Sequence, residues 1–215
     1  MPVSNPRQVI LVPGADAITF KEDLAEAGRR DIGVTELTLP AFVGHPIDGR
    51  EAHFDSVAKL IIEAASEFRQ TMPAGRIAAI GRNNGGGQLA WALAKKLRIE
   101  AVVLVGAIPE ISFYRKESQN PSAVNFRNSL TGDDEFTRID VMKPLDIVSS
   151  SKNWLETRCL IQFGRRDPYI DDTSTEAALS LSQRHHVEWL YDDHAMVSAQ
   201  SLQQRWDFIE DILSD

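Results

Sequence analysis

One cysteine, Cys159, is all the thiol chemistry the chain carries. That excludes an internal disulfide and any multi-cysteine metal centre. Its place inside the apolar run Arg158-Cys159-Leu160-Ile161-Gln162-Phe163 reads as a buried structural thiol. Basic residues are in deficit: 23 Lys and Arg stand against 31 Asp and Glu, for a net charge of -8. A nucleic-acid or anionic-membrane surface is therefore not expected. No apolar run approaches the roughly 18 residues a membrane span needs. Met1-Pro2-Val3-Ser4-Asn5-Pro6-Arg7 lacks the basic-then-apolar layout of a signal peptide, and the expected compartment is the cytoplasm. Phosphate-binding spacings are missing too. Gly85-Gly86-Gly87 runs into Gln88-Leu89 where a P-loop needs Lys and Ser or Thr, and the dinucleotide fingerprint is absent, so no cofactor is expected. His185 and His186 are adjacent at a strand entry and should point apart. His45 and His53 have no carboxylate cluster nearby, so no metal is assigned. Internal repeats and low-complexity tracts are absent.

What is present is a 215-residue chain, 43% hydrophobic and 25% charged, which suits one globular domain spanning residues 1–215. Gln8 to Val12 is β-branched and apolar and stops at Pro13-Gly14, as a buried parallel strand does. A helical stretch is expected from about Thr19 to Arg30. Val34 to Leu39 alternates and ends at Pro40, the pattern of a strand nearer the sheet edge. Glu51 to Gln70 places Phe54, Val57, Ala58, Ile61, Ala65 and Phe68 on one helical face. Arg76 to Ile80 is a third strand, Ala101 to Val105 a fourth, Arg158 to Phe163 a fifth and His186 to Tyr191 a sixth. Helices are expected at Thr173 to Ser182 and over the tail, where Leu202, Trp206, Ile209 and Leu213 recur at helical spacing.

Strands alternating with helices predict an α/β fold: a doubly wound, mostly parallel sheet of about six strands. Residues 110–151 break the rhythm. This stretch is polar, holds Asn120-Pro121 and Gly132-Asp133-Asp134, and is too long for an ordinary connection. It reads as a lid-like insertion over the carboxyl edge of the sheet. Phe113, Tyr114 and Phe126 would either line a pocket there or pin the insertion to the core. In parallel sheets the ligand crevice lies beyond the carboxyl ends of the strands. Gly14, Asn83, Asp167 and His194 all follow strand ends, so one site on that edge is expected.

The third strand runs into Gly81-Arg82-Asn83-Asn84-Gly85 and then a helix former from Gln88. This tight strand-turn-helix resembles the nucleophile elbow G-x-S-x-G of the α/β-hydrolase superfamily. Asn83 occupies the place of the serine. After the elbow the superfamily puts an acid beyond a later strand and a histidine after the last one. Asp167 in Gly164-Arg165-Arg166-Asp167-Pro168 and His194 in Asp193-His194 match that order. Pro13-Gly14-Ala15-Asp16 resembles the superfamily's oxyanion loop. The backbone N–H groups of Ala15 or Asp16 and of Asn84 would be its donors. The implied strand order is 2-1-3-4-5-6.

Asparagine changes the chemistry. A carboxamide has no hydroxyl proton for a histidine to take and a poorly nucleophilic nitrogen, so an acyl-enzyme on Asn83 is excluded. What survives is a His194–Asp167 base pair, an oxyanion hole and an amide that donates hydrogen bonds. Asp16 would oppose an oxyanion unless it points away or is protonated. Three readings stay open. One is a non-covalent enzyme, a direct hydrolase, a lyase, an isomerase or a cyclase, acting on a small carbonyl or ester substrate with His194 as general base. Another is an inactive protein that binds a small molecule or a partner. The last is a serine hydrolase whose serine was replaced. Arg82 would offer charge to a substrate carboxylate or be solvated. Asp171 and Asp172 look like helix N-terminal caps.

Overall fold

The computed structural model describes residues 6–14, 18–39, 48–130, 146–147, 157–182 and 185–214. Among the described residues there are six strands: β1 (Arg7–Val12), β2 (Gly33–Glu36), β3 (Arg76–Arg82), β4 (Ala101–Val105), β5 (Arg158–Gly164) and β6 (His186–Leu190). All pair in parallel, in the order β2-β1-β3-β4-β5-β6. The interleaved helices are α1 (Lys21–Arg29), α2 (Asp48–Thr71), α3 (Gln88–Leu97), α4 (Ile111–Glu117), α5 (Pro121–Asn128), α6 (Asp172–Leu181) and α7 (Ala199–Ser214). None of these is long and apolar enough to cross a membrane. The domain is a single α/β unit.

Near-continuous apolar strands are explained by burial on both faces. Successive side chains alternate between two cores. Ile10, Val12, Ile77, Ala79, Val102, Leu104, Cys159, Ile161 and Phe163 face one side, where Val57, Ile61 and Ala65 of α2 and Leu89, Trp91 and Ala94 of α3 cover them. Val9, Leu11, Ala78, Ile80, Val103, Val105 and Leu160 face the other, under Ala27 of α1 and Trp206, Ile209, Ile212 and Leu213 of α7. Cys159 is buried, and burial pushes its thiol well up, so it stays protonated and inert.

Two elements depart from the sequence reading. β2 is shorter than expected, because its pairing with β1 ends at Leu11↔Glu36, just before β1 itself stops. The first part of the 110–151 insertion, whose patchy periodicity assigned it no elements, is helical. Asn120-Pro121, which reads as a breaker, is a helix start: the Asn120 side chain accepts from Ser122 N at 3.0 Å and Pro121 takes the first helical position. Ile108, Ile111, Tyr114, Ala123 and Phe126 form a small third core between α4 and α5. Ser118 Oγ donates to Asp171 Oδ2, and Asn120 Nδ2 donates to the Pro168 carbonyl at 2.7 Å. These bonds hold α4 and α5 against the segment that follows β5. Residues 131–145 and 148–151 of the insertion lie outside the described residues.

Candidate active site

β3 enters a single π-helical turn, Asn83–Gly87, before α3 begins. Such turns are rare and concentrate at functional sites. Asn83 is left-handed, with φ 51. Asparagine is among the few side chains that tolerate that region. Gly85, with φ 99, needs glycine for its backbone conformation. Backbone closes on backbone at Gly81, the first glycine of the motif, and again at Gly86, beyond its second. A β-carbon on Gly81 would lie 2.5 Å from the Gly86 oxygen, and one on Gly86 would lie 2.5 Å from the oxygens of both Val12 and Pro13. So the turn is wedged against the end of β1 as well as β3. Gln88, fully buried, braces it from behind: Oε1 accepts from Gly85 N at 2.6 Å and Nε2 donates to the Ile108 carbonyl at 3.0 Å.

The histidine loop follows β6. His194 Nδ1 lies 2.6 Å from Asp167 Oδ2. Asp167 is buried, and its other oxygen accepts from Tyr169 N at 2.9 Å. Both carboxylate oxygens are thus engaged, which fixes the plane presented to the imidazole. The Tyr169 ring stands edge-on to the imidazole, centroids 4.6 Å apart. Asp192 anchors the loop from within, accepting from Asp193 N, Ser198 N and Ser201 Oγ. Burial pushes the Asp192 carboxyl up, but the hydrogen bonds from Ser201 and Ser198 outweigh it and hold it below the ordinary carboxylate value. Gly106, at the end of β4 with φ 62, lies directly against the imidazole. Of the two acids nearby, Asp171 caps α6 by accepting from Ser174 N at 2.9 Å and Asp172 is the first residue of that helix.

The elbow and the histidine loop are joined. Arg82 Nη1 donates to the Ala195 carbonyl at 2.5 Å. Residue 82 precedes Asn83 and residue 195 follows His194, so the two catalytic candidates sit on bonded segments.

Arg82 itself is neither solvated nor open to a substrate. It is 2% exposed, its Nη2 donates to Asp23 Oδ2 at 3.0 Å, and its guanidinium lies 4.9 Å from the Phe20 ring centre. Tyr114 is buried in the third core, and burial pushes its phenol up to about 12. Phe126 is buried there with it, which is the pinning arrangement, whereas Phe113 is exposed. Ala15 and Asp16 of the oxyanion loop lie outside the described residues. Asn84 is the second residue of the π turn. His185 packs edge-on to Trp91, and the exposed His186 lies 2.5 Å from Glu188. Gln88, Asp23 and Arg205 carry no signal in the sequence. A glutamine six residues past a strand end and charges inside amphipathic helices bear no local mark of burial.

Six parallel strands in this order, with a glycine-wedged elbow after the third and an acid and histidine after the fifth and sixth, define the architecture. The fold is that of the α/β-hydrolases. Esterase B from Lactobacillus rhamnosis superposes with a TM-score of 0.66 at 14% identity, covering 99% of this chain and 78% of that one. An arylesterase gives 0.65 at 18% identity, covering 97% and 77%. TT1662 from Thermus thermophilus gives 0.69 at 12% identity, covering 100% and 92%. No protein-family model matches the sequence, and no curated protein matches it. In this fold the strand order reverses at β1, with β2 on one side and β3 on the other. The ligand crevice is therefore expected beyond the ends of β1 and β3, where the elbow sits.

Proposed function

We propose that this α/β-hydrolase-fold protein hydrolyses a small ester-type or activated carbonyl substrate without a covalent intermediate. The observation that carries the reading is the 2.6 Å contact between His194 Nδ1 and the buried Asp167 carboxylate. A carboxylate there makes Nδ1 the protonated nitrogen and leaves the Nε2 lone pair as the base. His194 Nε2 would take a proton from water as its oxygen attacks the carbonyl carbon. It would then return that proton to the departing alkoxide, so the imidazole ends as it began. The Asn83 carboxamide would hold the carbonyl oxygen as negative charge develops on it, a role that needs a donor and no nucleophile.

Residues 110–151 serve this reading as a cap on the site. Support comes from α4 and α5, which are bonded to Pro168 and Asp171 just beyond the candidate acid. A cytoplasmic setting is proposed with it, since one buried thiol and no disulfide suit a reducing compartment.

The test is turnover of p-nitrophenyl and thioester substrates with short acyl chains. We expect hydrolysis that H194A and D167N each lower by a factor of roughly 10³–10⁴, with no labelling at the elbow by a fluorophosphonate. Turnover in the parent protein that survives H194A would overturn the mechanism. No turnover across the panel, with saturable binding of the same esters, would support the inactive binding protein instead.

A further inference from the structure

Beneath the histidine loop lies a charge cluster that the proposed reaction does not use. Asp23 of α1, Arg82 of β3 and Arg205 of α7 are all essentially without solvent exposure. The Asp23 carboxylate accepts from Arg205 Nε at 2.7 Å, Arg205 Nη2 at 2.9 Å, Arg82 Nη2 at 3.0 Å and Trp206 Nε1 at 2.9 Å. Two guanidinium groups share one carboxylate. Each also sends its Nη1 to one turn: Arg82 to the Ala195 carbonyl at 2.5 Å and Arg205 to the Met196 carbonyl at 2.8 Å. Those are the two residues after His194. Met196 is itself left-handed, with φ 51, and its side chain is fully buried. A non-glycine residue held there is kept by its surroundings. Buried ion clusters are weak contributors to stability, and apolar residues of similar volume commonly serve as well. Their strength is geometric, because the planar fork of arginine fixes its acceptors in direction and distance.

We propose that the Arg82–Asp23–Arg205 cluster is a positioning device for His194. It clamps the backbone of the turn at residues 195 and 196 and thereby keeps Nδ1 on Asp167. Arg82 adds a second constraint, since it belongs to the strand that delivers Asn83 and so sets the imidazole and the carboxamide in one frame. Asp23 has no contact with the reaction; it aims the two arginines and offsets one of their two positive charges. The inference rests on reading His194 as the base, but its test needs no turnover.

The experiment is proton NMR of the full chain, following the downfield Nδ1–H resonance of a histidine bonded to a carboxylate, assigned by its loss in H194A. R82M should stay folded by circular dichroism and lose or broaden this resonance, while R82K, which keeps a charge and a donor, should restore it in part. V57A, which destabilises the opposite core, should leave it unchanged. Where turnover is measurable, R82M should lower kcat about a hundredfold with KM little changed, the effect of ~1 Å of misplacement. If R82M does not fold, R205K carries the same test, since it keeps the charge and loses the fork. A resonance that persists unaltered in folded R82M or R205K overturns the proposal. A resonance that responds as expected in a protein with no hydrolytic activity overturns the proposed function and leaves the clamp standing.

Discussion

A β-carbon on Gly106 would stand 3.3 Å from both Nδ1 and Cε1 of the His194 imidazole. The end of β4 is thus one wall of the seat in which His194 meets Asp167. Gly106 also has φ 62, so alanine there meets backbone strain and a steric push on the ring together. G106A should cost about 1–2 kcal/mol of stability and displace the imidazole from Asp167. Urea denaturation measures the first effect and loss of the downfield histidine resonance the second. Gly28 is the contrasting case. It lies near the end of α1, where an added β-carbon would have nothing within 4 Å, and G28A should add about 0.5–1 kcal/mol.

Asn83 is expected to be replaceable by conformation before chemistry. N83G should keep wild-type stability, because φ 51 suits glycine. N83V should lose about 1–2 kcal/mol, the cost of a β-branched residue in the left-handed region. N83S should gain labelling by a fluorophosphonate at residue 83, detected by mass spectrometry, because a hydroxyl would then occupy the elbow. Absence of label in folded N83S would show that the elbow and the imidazole are not in bonding register.

The π turn should be intolerant at Gly86. An added methyl group would meet two backbone oxygens, those of Val12 and Pro13, and backbone cannot rotate away as a side chain can. G86A is expected to lose about 3 kcal/mol or more, or to fail to accumulate as folded protein. Thermal melting against the parent decides it.

Stability should fall in acid through Asp192. Its folded-state carboxyl lies below the ordinary value of 3.8, so its contribution is complete above that value and is lost as pH falls through the lower folded one. D192N should be less stable at neutral pH, and the gap should close as pH drops below 3.8. Denaturation midpoints from neutral pH down into strong acid test the sign. A gap that widens in acid would contradict it.

Much of this protein was legible as a string. Strand and helix identity is written locally, as β-branched runs and as apolar residues at helical spacing. Six such runs alternating with helices leave little freedom beyond a parallel sheet, so the architecture followed from pattern. That Asn83, Asp167 and His194 follow strand ends was legible for the same reason, while the roles proposed for them come from the resemblance to the α/β-hydrolase elbow. Tertiary structure alone decided the rest. Arg82 reads as a charge for a substrate or for solvent, because its partner Asp23 lies 59 positions away and Arg205, which shares that partner, lies 182 positions from Asp23. Tyr114 and Phe126 read equally as pocket or packing until α4 and α5 were seen to make a core of their own. Hydrophobic periodicity reports which side of an element is buried. It cannot report what a buried charge is paired with, because that depends on elements brought together only when the sheet closes.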